Sequence, residues 1–216
     1  LAVSSPLALA SHNEETLYWE GGHYELNMSF EALRDKQWLR VMQAIWGHPN
    51  MFGPLEHRFI PGGRTIETAI AIPPPTATQA QHGQILVSTS AAGCDVLATR
   101  SLFECVSVLV PLGMFDGLQH NTNDPRKDNP SLGLLDDVFA AIALAVYDVV
   151  PFKLAALGWE RECQVVAELR SDDAARDALV RTGNFFAQDE VLRQLNIPMD
   201  SYPPVRNGLR WAAPQS

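Results

Sequence analysis

Residues 132–150 limit how this chain can fold more than any other segment. Leu135, Val138, Phe139, Ile142, Val146 and Val149 recur with the 3.6-residue period of an α-helix and give it one apolar face. The opposite face holds Ala140, Ala141 and Leu144, with Asp137 and Asp148 for charge. A helix apolar around so much of its circumference has to be covered on more than one side. Its uncharged stretch, 138–147, is about half the length a membrane span needs, so no membrane-spanning segment is expected.

Other patterns supply the covering surface. Tyr24, Leu26, Met28 and Phe30 alternate with polar residues, as on a half-buried strand, and His23 and Glu25 then face solvent. Gly21-Gly22 suits a hairpin from a short strand at 17–20. Trp38, Val41, Met42, Ile45 and Trp46 make 32–46 an amphipathic helix, ended by Gly47 and Pro49. Segments 57–60 and 65–72 flank Pro61-Gly62-Gly63-Arg64 and read as a second hairpin. Strands are expected at 84–90, 95–99 and 102–112, the last of them central because Val106, Val108 and Val110 face one way and Leu109 the other. Pro151 ends the long helix, with strands expected at 152–159 and 163–169. Ser171-Asp172-Asp173 caps a helix that stops near Gly183, and a short helix covers 188–195. The fold class is therefore α+β: a mixed, mostly antiparallel sheet with two main helices on one face and two short C-terminal helices.

At 216 residues, with 46% hydrophobic and 19% charged residues, the composition is that of an ordinary globular chain with one core. We expect a flexible tail at 1–15, a single domain at 16–197 and an extended Pro-rich arm at 198–216. Residues 1–10 are apolar but lack the basic start of a signal peptide. The net charge of -9 and pI near 5.0 oppose binding to phosphate backbones, so nucleic acid is not an expected ligand.

Cys94, Cys105 and Cys163 are odd in number and widely spaced, which argues against a disulfide framework or a zinc knot and for a reducing, cytoplasmic setting. Cys105 and Cys163 sit in apolar runs, where free cysteine behaves as a small hydrophobe. Phosphate loops, nucleophile elbows, zinc-protease pairs and calcium loops are not found at the required spacing. No cofactor and no metal is expected.

Two loose constellations remain for chemistry. Asp116, His120, Asp124 and Asp128 bring carboxylates and an imidazole into one loop after the central strand, although Asn121, Asn123 and Asp124 are also common turn formers. His48 and His57 with Cys94 would suit a zinc site or a thiol with its base, and His48 equally suits a helix C-terminus. They define an alternative reading as a metal-dependent or thiol hydrolase. The favoured reading is a non-enzymatic interaction module, an accessory subunit or acidic immunity-type binder of a basic protein, or else a homodimer. Phe139, Ile142 and Val146 of the long helix and Trp211 of the arm are its interface candidates.

Overall fold

The computed structural model describes residues 22–60, 64–72, 80–87, 94–100, 104–111, 131–159 and 163–214. The strand at 17–20 and the loop at 116–131, apart from Ser131, lie outside these residues. Ten strands form one sheet: β1 (His23–Ser29), β2 (Met51–Ile60), β3 (Arg64–Ala69), β4 (Gln81–Ile85), β5 (Cys94–Arg100), β6 (Cys105–Pro111), β7 (Leu154–Trp159), β8 (Phe185–Gln188), β9 (Pro204–Arg206) and β10 (Leu209–Ala212). Their order is β3-β2-β4-β5-β6-β1-β7-β8-β10-β9, and every ladder among the described residues is antiparallel. The fold is thus α+β, built on a single antiparallel sheet.

The two main helices, α1 (Asp35–Trp46) and α2 (Ser131–Val149), pack together over one face. Their apolar stripes meet Tyr24, Leu26 and Met28 of β1, Val106, Val108 and Val110 of β6 and Leu157 of β7 in one buried cluster. The five apolar residues expected to face inward from α1 are the five that it buries. Gln37 Oε1 accepts the Arg34 N–H at 3.1 Å, satisfying one donor before the first turn. Around α2 the covering is less complete than its composition suggests, since Leu134 is exposed and Ala141 lies at the surface.

Period-two alternation places Leu154 and Ala156 on the opposite face. There a second apolar cluster forms with three short helices, α3 (Val166–Ser171), α4 (Asp173–Thr182) and α5 (Asp189–Gln194). Because β1 lies between β6 and β7 and is covered on both sides, Asn27 and Ser29 are buried, while His23 and Glu25 are half-buried rather than solvent-facing. Glu25 Oε2 accepts from Asn27 Nδ2 at 2.7 Å, and Ser107 Oγ donates to Asn27 Oδ1.

Three further expectations are revised. The strand at 163–169 is replaced by α3, because Ala167, Glu168, Leu169 and Arg170 are good helix formers and a short apolar run carries no decisive period. The segment after Pro198 is not an arm laid over the surface. It folds into a 3₁₀ turn (Met199–Ser201) and the β9–β10 hairpin, and β10 pairs with β8 inside the sheet. Finally, Cys105 and Cys163 are not free hydrophobes. They form a disulfide across 58 positions of sequence, with Cα atoms 6.3 Å apart.

Candidate functional site

Where β1 ends and β7 begins, the chain opens a cleft of about 280 Å³ between the sheet and the helices of its second face. The Lys153 N–H donates to the Ser29 carbonyl at 2.8 Å, and the Lys153 carbonyl accepts the Gln188 N–H at 3.0 Å, so three strand ends are fixed around one lysine. Phe30, Val166 and Val191 give the cleft an apolar floor. Its rim carries Glu31, Lys153, Arg170 and Glu190.

The Lys153 ammonium lies 3.1 Å from Glu31 and 3.7 Å from Glu190. Its hydrogen bond to Glu31 raises its pKa above the usual lysine value, outweighing the opposing effect of burial. Lys153 is therefore a fixed cation at neutral pH, suited to holding charge in place and unsuited to acting as a nucleophile or base. Among the described residues Arg170 forms no salt bridge, and with it the rim carries two charges of each sign, Glu31 and Glu190 against Lys153 and Arg170. The acidity of the whole chain is not concentrated here.

A buried polar group lies on the other face. Asp136 Oδ1 accepts from the Tyr24 hydroxyl at 2.6 Å and from Asn184 Nδ2 at 2.7 Å, while Asn184 Oδ1 is buried without a hydrogen-bond partner. Asn184 has φ +58°, a left-handed conformation that Asn tolerates better than most residues. Asp136 follows Leu132 by four positions and precedes Phe139 by three, which places a carboxylate on the buried stripe of α2. That spacing was the available signal for this group. The cleft had no equivalent signal, because its rim residues come from four separate segments.

The candidates chosen from sequence fall elsewhere. Asp116, His120, Asp124 and Asp128 lie outside the described residues. In the backbone register, Cys94 stands opposite Ile85 and Ile85 opposite Met51, whereas His57 lies six positions farther along β2, about 20 Å of extended strand. The two backbone positions therefore stand well apart in the sheet. His48 serves its own turn: its Nδ1 accepts the Asn50 N–H at 3.3 Å, and burial lowers its pKa below 6.5. Among the described residues no group of three or more His, Cys, Asp or Glu side chains is placed to hold a metal ion.

Phe139, Ile142 and Val146 are fully buried against the sheet, so the interface expected from them is one within the chain. Trp211 is half-buried, its ring centroid 4.2 Å from that of Phe186. None of the described helices is long and apolar enough to cross a membrane. Comparison of the chain with protein-family models, with curated proteins and with solved structures gave no match.

Proposed function

We propose that this chain is a non-enzymatic protein-interaction module that receives an apolar side chain of a protein partner in the cleft, with Arg170 pairing to a neighbouring carboxylate. The observation that carries this reading is the combination of an apolar floor with a charged rim, the anatomy of an interface hot spot. At about 280 Å³ the cleft lies at the lower edge of the roughly 300–1,000 Å³ of small-molecule sites and has room for one large side chain. A guanidinium already facing the cleft suits bidentate recognition of a carboxylate. This differs from the basic partner expected from net charge. The disulfide, for its part, favours an oxidising compartment over the cytoplasm.

The test is affinity capture with the wild-type chain, with Val166→Asp and Arg170→Glu, and with Arg181→Glu on α4 as a surface control. A partner retained by wild type and control, and lost from both cleft variants, supports the reading. Equal recovery by all four overturns it. Native mass spectrometry of the same samples decides whether the partner is a second copy.

A further inference from the structure

We infer that the outer edge of β3 is a homodimer contact, where residues 68–72 pair antiparallel with the same residues of a second copy, Ile70 against Ile70, and join two sheets into one. The contact uses no residue that lines the cleft, so it stands apart from the binding role proposed there.

The two ends of the sheet are built differently. At one end β9 has three residues, opens on Pro204, pairs with β10 through a shifted register and carries Arg206 in an ion pair with Asp148. Short length, proline and broken register all discourage a further strand. At the other end β3 pairs with β2 without a break, from Ile60 opposite Arg64 to Leu55 opposite Ala69, and contains no proline. The Ile70 N–H continues the ladder by donating to the Pro54 carbonyl at 2.9 Å. Backbone groups alternate sides along an antiparallel strand, so those of Ala69 and Ala71 point away from β2.

The side chains along this edge suit a copy of themselves. Thr68, Ala69, Ile70 and Ala71 are exposed, Ile70 at 39%, and 68–72 holds no charge that a charged partner strand could match. A twofold axis at Ile70 sets Ile70 opposite Ile70, Ala69 opposite Ala71 and Thr68 opposite Ile72, pairs that favour a sheet. The N–H groups of Ala69 and Ala71 in each copy then meet the carbonyls of Ala71 and Ala69 in the other. An axis at Glu67 would set one carboxylate against its own copy, whereas the Ile70 register holds the two Glu67 positions about 20 Å apart along the strands. Pro73, which has no N–H, ends the pairing. A contact of five residues a side is small beside the roughly 20–30 of a stable interface, so the dimer is reversible and forms with rising concentration.

Sedimentation equilibrium of the full chain over a wide range of concentration tests this, with wild type, Ile70→Lys, Ala71→Pro and, as a control, Leu134→Lys at another exposed apolar residue. Ala71→Pro removes an N–H that points away from β2, so the β2–β3 ladder is kept. Wild type and control should dimerise alike, and the dissociation constant should rise at least about tenfold in both edge variants. Hydrogen exchange of the wild-type chain gives a readout without substitution, since the Ala69 and Ala71 amides should gain protection as the dimer forms. A chain that stays monomeric across the range overturns the contact and leaves the edge to an unlike strand. A dimer that both edge variants retain, or one whose Ala69 and Ala71 amides stay unprotected, overturns it as well. A dimer lost only on Val166→Asp belongs to the cleft, so failure of this contact and failure of the binding role are read separately.

Discussion

The indole of Trp46 lies against the backbone of Gly83, so close that a Cβ at that glycine would stand 2.6 Å from Cη2 of the ring and 2.5 Å from the Phe52 carbonyl oxygen. Trp46 Nε1 donates to the buried Gln81 Oε1 at 2.7 Å, which fixes the ring on β4. Gly83→Ala should therefore destabilise the chain by about 1–3 kcal/mol, as overpacking of a filled core does. A urea titration should show a lower midpoint with an unchanged slope.

Tyr24→Phe keeps the ring and removes the donor that meets Asp136. A buried carboxylate left short of a hydrogen bond costs about 1–3 kcal/mol. Thermal unfolding should show the loss, and Tyr24→Phe combined with Asp136→Asn should cost less than the sum of the single changes, because the two residues share one interaction.

Burial lowers the His48 pKa below its ordinary 6.5, so the folded state prefers the neutral ring. The unfolded chain takes up the proton first as the pH falls, and the associated stability is present above about 6.5 and lost as the pH descends through the folded value. Melting temperature followed from pH 8 to pH 5 should fall less steeply in His48→Gln than in wild type.

Arg210 Nε meets Asp189 at 2.7 Å, while its Nη1 donates to the Tyr202 and Met199 carbonyls at 2.9 and 3.2 Å. One planar guanidinium thus ties β10 to α5 and to the 3₁₀ turn. Arg210→Lys, which keeps the charge but not the fork, should loosen this region and speed proteolysis between 198 and 208. A cleavage rate equal to wild type would show that the charge alone suffices.

Periodicity and turn chemistry are properties of neighbouring residues, and for that reason the sequence alone located α1, α2 and α4, the β2–β3 hairpin, the break at Pro151 and the cap at Asp172. Asp136 stands on the same apolar period of α2, yet only the structure singled it out, through its contacts with Tyr24 and Asn184. Strand order, the entry of β10 beside β8, the Cys105–Cys163 bond and the cleft around Lys153 were decided by tertiary structure. Each depends on residues brought together from distant segments, and the hydrophobic burial that draws them together has no direction that a local pattern records. At 163–169 the short apolar run read as a strand, and packing of Leu169 into the second cluster decided for helix instead.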